Sequence, residues 1–170
     1  MRILTIIFVL IFVGCIHKNV ITKKTIEKYS NGKPKVVGYY SNNKEVVKVI
    51  FDEKGSANWN GKFPDGIFIE YYDNGRILSE MEIKNDKKNG LSKDYYENGK
   101  LETEANYIGD KLEGMLKEYY ENGNIKMEQC YKDGKKNGLF KYYYENGKLQ
   151  MEGNIINGRL SGLFKIYKEN

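Results

Sequence analysis

The sequence contains few of the residues that form metal sites and nucleophilic catalytic sites. Its 170 residues include one histidine, His17, and two cysteines, Cys15 and Cys130. A zinc site usually takes four cysteine or histidine ligands, and a cysteine nucleophile needs a base to activate it. Because His17 lies outside every repeat described below, Cys130 has no base nearby in the sequence. We therefore expect no metal centre, no cofactor, no catalytic residue and no enzymatic activity.

Proline and arginine are also scarce. The chain has two prolines, too few for a proline-rich linker, and arginine occurs only as Arg2, Arg76 and Arg159 among 28 basic residues. The lysines alternate with 23 acidic residues, which leaves a formal net charge of +5. A nucleic-acid interface would cluster positive charge on one face and favour arginine. The pattern indicates a solvated surface of mixed charge and no nucleic-acid partner.

Long apolar runs are absent except at the N-terminus. Residues 3–13 are apolar and follow the positive Arg2. A helix that spans a bilayer needs about 20 apolar residues, so this run is too short to do so. A short positive segment, an apolar run and a small residue are typical of a secretory signal peptide. We assign residues 1–14 to such a peptide.

The end of the apolar run resembles the lipobox of bacterial lipoproteins. There, Gly14 precedes Cys15, the position that carries the acyl chains in that class. The resemblance implies an exported protein of the bacterial cell envelope, attached to a membrane by its lipid. Several acyl chains hold a protein firmly, whereas one chain binds marginally. Residues 15–25 are assigned to the lipidated cysteine and a tether; the alternative is an ordinary cleaved signal peptide with an incidental cysteine.

Glycine and tyrosine are abundant and regularly spaced. The chain has 18 glycines and 15 tyrosines, and a glycine recurs every 24 residues. A fixed period of this length indicates a repeat architecture. The recurring glycines are Gly66, Gly90, Gly114, Gly138 and Gly162.

Each repeat contains two turn signals. Asn74-Gly75, Asn98-Gly99, Asn122-Gly123 and Asn146-Gly147 each predict a two-residue type I′ hairpin turn. A second turn is predicted eleven residues later, at residues 85–86, 109–110, 133–134 and 157–158. The fold class is therefore all-β: an antiparallel meander of 24-residue hairpin repeats that forms an elongated, twisted or curled single sheet. Residues 66–170 are the regular repeats, and residues 26–65 contain degenerate copies around Gly32 and Gly55.

A two-residue turn fixes a cross-strand register. In the second hairpin it pairs Lys93 with Glu104 and Tyr96 with Leu101, and equivalent pairs follow in the next two hairpins. Opposite charges across strands stabilise a sheet by roughly 0.2 to 1 kcal/mol per pair. We therefore interpret the acidic row as structural and not as acid–base catalysts. The equivalent pairs are Lys117 with Glu128, Lys141 with Glu152, Tyr120 with Ile125, and Tyr144 with Leu149.

Alternation along the strands separates two faces. One face is apolar and aromatic and includes Phe68 and Met81, whereas the other mixes Leu91, Lys93 and Tyr95 with acidic residues. A single sheet has no second layer. Either the apolar rows cover each other, or part of this face stays open as a binding surface.

The repeat unit resembles a known family. Residues 90–107 read Gly-x-x-x-x-Tyr-Tyr-Glu-Asn-Gly-Lys-Leu-x-x-Glu-x-x-Tyr, and residues 114–131 repeat this with small changes. The unit is similar to the bacterial variant of the MORN repeat found in the YwqK-like family. The resemblance implies a β-hairpin array used as a scaffold or interaction surface. It also implies phospholipid contact or, from the antitoxin label of some members, a protein partner. An export signal conflicts with neutralising a cytoplasmic toxin and leaves an immunity role against an exported toxin.

Two function hypotheses follow. The favoured one is a membrane-anchored module that binds a protein or an envelope polymer through its aromatic face, because tyrosine combines contact area with a polar hydroxyl group. The alternative is a lipid-contacting structural protein of the envelope that uses Lys93, Lys117 and Lys141. The oligomeric state is left open. The predicted binding residues are Tyr72, Tyr96, Tyr120 and Tyr144.

Overall fold

The computed structural model describes residues 18–58 and 62–169, which form one 15-stranded sheet that does not close into a barrel. The predicted all-β meander of hairpin repeats is confirmed. The part of the chain described here contains no helix long enough and apolar enough to cross a membrane. The strands are β1 Val20–Lys28, β2 Pro34–Ser41, β3 Lys44–Phe51, β4 Ala57–Asn58, β5 Gly66–Tyr71, β6 Ile77–Lys84, β7 Lys87–Tyr95, β8 Leu101–Ile108, β9 Lys111–Leu112, β10 Gly114–Tyr119, β11 Ile125–Lys132, β12 Lys135–Tyr143, β13 Leu149–Ile156, β14 Arg159–Leu160 and β15 Lys165–Ile166.

From β5 onward the sheet follows the order of the chain. The spatial order is β14-β13-β12-β11-β10-β8-β7-β6-β5-β1-β2-β3-β4, with β9 paired to β8 and β15 paired to β13. Each repeat contributes an antiparallel hairpin, and each hairpin pairs with the next one. Similar side chains at the same position of successive repeats therefore line up across the sheet.

The turn at each Asn-Gly has three residues, so the predicted two-residue type I′ turn is wrong. In the β7–β8 hairpin, Gly99 N donates to Tyr96 O at 2.8 Å and Tyr96 N donates to Lys100 O at 2.9 Å. Gly99 has a φ of 87°, whereas Asn98 is not among the residues with positive φ. The Asn98 side chain instead accepts a hydrogen bond from Lys100 N at 2.9 Å. This is a type I turn followed by a left-handed glycine.

The longer turn shifts the pairing next to it by one residue. Leu101 pairs with Tyr95 and not with Tyr96, so the predicted tyrosine pairs are wrong by one position. A β-bulge at Glu102 then inserts one extra residue, because Asp94 pairs with Thr103. Beyond the bulge the predicted register returns. The pairs Lys93–Glu104, Lys117–Glu128 and Lys141–Glu152 are confirmed, whereas Ile125 pairs with Tyr119 and Leu149 pairs with Tyr143.

The second turn of each repeat is a two-residue turn, as predicted. Asn85 and Asp86 both have positive φ, at 53° and 59°. A type I′ turn needs this at both central residues, and Asn, Asp and Gly tolerate it best. The equivalent pairs are Gly109-Asp110, Asp133-Gly134 and Asn157-Gly158.

Gly138, one of the glycines that define the period, occupies a position in β12 that disfavours any side chain. Gly138 has a φ of 113°, and a Cβ atom built there would lie 2.8 Å from the Cβ of Cys130. A side chain would therefore meet both backbone strain and a steric clash. Only glycine satisfies both conditions without a shift of the neighbouring strand.

The predicted tether of residues 15–25 is wrong for residues 20–25. Residues 20–25 belong to β1, which runs parallel to β5, with residues 20–22 paired to residues 67–69. Ile21 is completely buried. The β-branched residues of this segment favour a strand, and burial of Ile21 against the first repeat stabilises the pairing. β1 therefore covers the edge of the repeat sheet; residues 15–17 lie outside the described part.

The degenerate repeats keep the turn of the regular ones. Gly32 N donates to Tyr29 O and Gly55 N donates to Asp52 O, each at 2.9 Å, and both glycines have positive φ. After β4 the chain returns to β5. There the Phe63 ring packs edge-on against Tyr39 and Phe68, with centroids 5.1 and 5.6 Å apart. Residues 59–61, which include Trp59, lie outside the described part. Four valines on β2 and β3 are also buried: Val36, Val37, Val47 and Val49.

We call the side of the repeat sheet that carries Phe68, Met127 and Phe140 the packed face. These three side chains are 5%, 7% and 7% exposed. Small residues such as Ser92 and Ala105 lie between the large ones, so that the rows interdigitate. Burial of one such large side chain stabilises a fold by about 1.5–3 kcal/mol. Of the two arrangements that the sequence left open, the structure shows rows that cover each other here.

Candidate interaction surface

The four predicted binding tyrosines form one row at the turns. Each lies half-buried just before a three-residue turn. Each hydroxyl group donates to a backbone carbonyl 23 residues further along the chain, so this row joins one repeat to the next. Whether the rings also contact a partner stays a prediction. The bonds run from Tyr72 to Tyr95 O, Tyr96 to Tyr119 O, Tyr120 to Tyr143 O and Tyr144 to Tyr167 O, at 2.5, 2.5, 2.7 and 2.9 Å.

Turn side chains add to this connection between repeats. The amide groups of Asn122 and Asn124 both donate to Glu145 O at 2.8 Å. In the first regular turn, Arg76 Nη1 donates to Glu97 O at 3.0 Å. The Tyr-x-Asn-Gly motif therefore has a structural role, since its tyrosine and asparagine satisfy carbonyl groups that the turns leave unpaired.

We call the opposite side of the sheet the ladder face, because one row of alternating charges crosses it. The row contains four glutamates and four lysines on eight neighbouring strands, and each residue lies opposite the next across the sheet. Lys117 lies 3.7 Å from Glu104, and Lys165 lies 3.5 Å from Glu152. We call this row the charge ladder. In order across the sheet it comprises Glu80, Lys93, Glu104, Lys117, Glu128, Lys141, Glu152 and Lys165.

A tyrosine row accompanies the charge ladder. Tyr119 donates to Glu104 at 3.0 Å and Tyr143 donates to Glu128 at 2.9 Å. Partial burial, followed by these hydrogen bonds to carboxylates, raises the pKa of each tyrosine from its ordinary value of 10.0 to about 12. At the end of the ladder, the hydrogen bond from Tyr167 lowers the pKa of Glu152. These contacts bind the glutamates into the sheet, as the structural interpretation predicts.

An exposed aliphatic row lies beside the charge ladder. It consists of the residue after four of the five period-defining glycines: Leu91, Met115 and Leu139 are 49%, 41% and 60% exposed, and Leu163 is 95% exposed. Leu91 was predicted to lie on the mixed face, but the aliphatic row itself was not predicted. The signal was available, because an aliphatic residue recurs at this position in all five repeats, beginning with Ile67.

Two neighbouring residues near the middle of the array, Gln129 and Cys130, carry polar or reactive groups. Cys130 Sγ lies 3.9 Å from Met115 Sδ, and the described residues include no group of three side chains that could hold a metal ion. Gln129 is fully buried on the packed face. Its Nε2 donates to Cys130 O at 2.9 Å, whereas its Oε1 has no partner within the described part of the chain. Cys15 and His17 lie outside that part.

The repeats match a known family. Residues 64–85, 88–108, 112–133 and 136–157 match the MORN repeat variant, and together they cover half of the chain. The chain belongs to the MORN repeat variant family. Each match spans one hairpin of the repeat sheet. MORN repeats indicate a repeat-based role in binding or scaffolding. MORN repeat proteins are generally non-catalytic modules. A comparison with curated proteins finds no match.

The tyrosine bonds between MORN repeats lead to a stability prediction. Tyr120→Phe removes the hydroxyl group that reaches Tyr143 O and keeps the ring. We expect the free energy of unfolding, measured by urea titration, to fall by about 1 kcal/mol, the net value of one such hydrogen bond. Tyr71→Phe is the control, because Tyr71 is 44% exposed and its hydroxyl group has no hydrogen bond within the described chain. Equal losses in the two variants would contradict the structural role.

The raised tyrosine pKa values predict how stability depends on pH. A tyrosine whose pKa is higher in the folded state than in the unfolded state stabilises the fold. This contribution is fully present below pH 10 and is lost as the pH rises toward 12. We expect the unfolding free energy to fall over this range, and to fall less steeply in the Tyr119→Phe/Tyr143→Phe variant. Urea titrations between pH 8 and pH 11.5 test this. The prediction fails if this variant and Tyr71→Phe show the same slope.

Proposed function

We propose that the protein is a membrane-anchored, non-catalytic interaction module of the bacterial cell envelope that binds a partner through its ladder face. The observation that supports this most directly is the aliphatic row, whose members are 41% to 95% exposed beside the charge ladder. Exposed apolar residues that lie in one row and have polar neighbours are typical of protein–protein contact sites. The packed face is less suited to this role, because its large side chains already cover each other.

The balanced charges of the ladder face favour a protein partner over an envelope polymer whose charges all have one sign. Four lysines alternate with four glutamates, so the row has no net charge at neutral pH. Anionic phospholipids attract clusters of basic residues, with about 1 kcal/mol for each lysine or arginine near the surface. The acidic neighbours of Lys93, Lys117 and Lys141 oppose this attraction. The lipid-contacting alternative therefore has less support than a protein partner.

The membrane attachment rests on the N-terminal sequence. The proposal assigns the acyl chains to Cys15, after removal of residues 1–14. The repeats would then be held close to a membrane surface, where the ladder face is available to other envelope proteins. The tyrosine row of Tyr72, Tyr96, Tyr120 and Tyr144 stays a second proposed contact site, limited to its ring edges because the hydroxyl groups are engaged.

Replacement of Cys15 tests the anchor. In the Cys15→Ser variant no acyl chain can be attached, so we expect labelled palmitate to be absent from the protein. The protein should also leave the membrane fraction on cell fractionation. Cys130→Ser is the matched control and should keep both the label and the membrane association. Unchanged labelling of the Cys15→Ser variant would contradict the assignment.

Affinity capture with paired variants tests the binding face. The tagged full-length chain, extracted from native membranes in detergent, serves as bait, and mass spectrometry identifies the captured proteins. We expect Leu91→Asp/Leu139→Asp to lose its specific partner, because two charges then interrupt the aliphatic row. The control Ile26→Asp/Ile50→Asp changes side chains of similar exposure, 41% and 52%, outside the regular repeats and should keep the partner.

The same experiment includes a variant of the tyrosine row. If Tyr96→Ser/Tyr120→Ser, which removes both rings, loses the partner while the leucine variant keeps it, the binding site lies at the turns and not on the ladder face. If all variants capture the same proteins as the native chain, the proposed binding function of both surfaces is wrong. Circular dichroism of each variant confirms that its sheet is intact.

A further inference from the structure

We propose that the partner of the ladder face is a second copy of this chain, in a two-fold dimer whose charge ladders lie face to face. This inference rests on the proposed function, because it needs the ladder face to be a binding surface. The order of charges across eight strands identifies the partner.

The symmetry of the charge ladder favours a second copy of the chain as the partner. The row begins with Glu80, ends with Lys165 and alternates without interruption across eight strands. A row of alternating charges with an even number of members changes sign when its order is reversed. A reversed copy therefore places each lysine opposite a glutamate. Two identical ladders are complementary in this arrangement, as a two-fold interface requires.

The order of charges in the ladder also fixes the direction of the two-fold axis. An axis parallel to the strands, passing between β10 and β11, reverses the order of the strands and keeps each row opposite itself. Lys117 then faces Glu128 of the second copy, and Glu104 faces Lys141. An axis across the strands would instead place equal charges opposite each other. The favoured axis also keeps the strands of both sheets aligned, the usual arrangement when two sheets pack face to face.

The aliphatic rows fit the same arrangement. Within one chain, Leu91 pairs with Asn106, Met115 with Cys130, and Leu139 with Asn154, so large apolar and smaller side chains alternate across the sheet. The proposed axis places Met115 of one copy opposite Cys130 of the other. The large side chains of each copy therefore enter the gaps between those of its partner, and the exposed aliphatic row is buried.

The surface is large enough for a dimer. The aliphatic row, the charge ladder and the ladder-face row of Tyr119 and Tyr143 are about 6.6 Å apart along the strands, and neighbouring strands are about 4.8 Å apart. Three rows over eight strands therefore cover roughly 750 Å² of each copy. A standard protein–protein interface buries about 800 Å² per partner.

Other occupants match the face less well. A polyanion meets four glutamates together with four lysines, and a polycation meets the same balance. A purely apolar partner would bury the charges without pairing them, which carries a desolvation cost. A partner needs an alternating row of charges at strand spacing to match the ladder, and a second copy of this chain has that row.

Sedimentation equilibrium of the full-length chain in density-matched detergent tests the dimer. Four proteins are compared: the native chain, Lys117→Glu, the double exchange Lys117→Glu/Glu128→Lys, and Lys44→Glu on β3 as a control outside the ladder. All four have the same N-terminus and the same membrane anchor, so association through that segment is the same in each. Urea titration reports the stability of each fold separately.

The double exchange separates the two roles of these residues. In the dimer, Lys117→Glu places two pairs of glutamates opposite each other, so we expect the dissociation constant to rise at least tenfold. The double exchange restores opposite charges between the copies and should return the constant to within threefold of the native value. Within one chain it still leaves Glu104 beside a glutamate and Lys141 beside a lysine. The fold should therefore stay less stable than the native one while the dimer recovers.

Variants of the aliphatic row give an independent readout. Leu139→Asp should raise the dissociation constant at least tenfold, and Ile50→Asp, on β3 and 52% exposed, should leave it unchanged. The proposal is overturned if the native chain sediments as a monomer, or if the double exchange binds as weakly as Lys117→Glu. A monomer whose capture of another protein depends on Leu91 and Leu139 would overturn the dimer and keep the proposed function. A monomer without such capture would overturn both.

Discussion

The fold depends on a hydrogen bond that each repeat makes to the next. The hydroxyl group of Tyr96 reaches a carbonyl on the strand that follows one hairpin later, and Tyr72, Tyr120 and Tyr144 repeat this contact. The geometry needs a turn that ends each strand at the same height, which the three-residue turn with its left-handed glycine provides. The contact recurs in successive units, so each repeat is joined to the next in the same way. Rows of identical side chains therefore stay aligned across the array.

The regular repeats could be predicted well from the sequence, because their period is encoded in local turn chemistry. The all-β meander and the Lys–Glu register both agree with the structure. The register agrees although the length of the turn was wrong, since the bulge at Glu102 compensates for the additional turn residue. Such compensation cannot be read from Asn98-Gly99 alone. It depends on which carbonyl groups the neighbouring hairpin satisfies.

Predictions that depended on contacts between distant segments were less accurate. Residues 20–25 have no obvious period, yet β1 pairs with β5 because the edge of the first repeat offers free backbone groups and a place to bury Ile21. The tyrosines at the turns were predicted as anchors for a partner because their ring and hydroxyl group suit an interface. The structure shows that the hydroxyl groups bind within the sheet. The recurrence of an aliphatic residue from Ile67 to Leu163 was visible in the sequence, but the exposure of its later members was not, because exposure depends on how the neighbouring rows pack.

The charge ladder has a consequence for how such arrays change in length. The three units that begin at Gly90, Gly114 and Gly138 each contribute one lysine and one glutamate to the ladder, on adjacent strands. Duplication or loss of a whole unit therefore leaves the row neutral and alternating, with an even number of members. Gene duplication can lengthen or shorten the array without any compensating substitution, whereas gain or loss of a single strand would leave one charge unmatched.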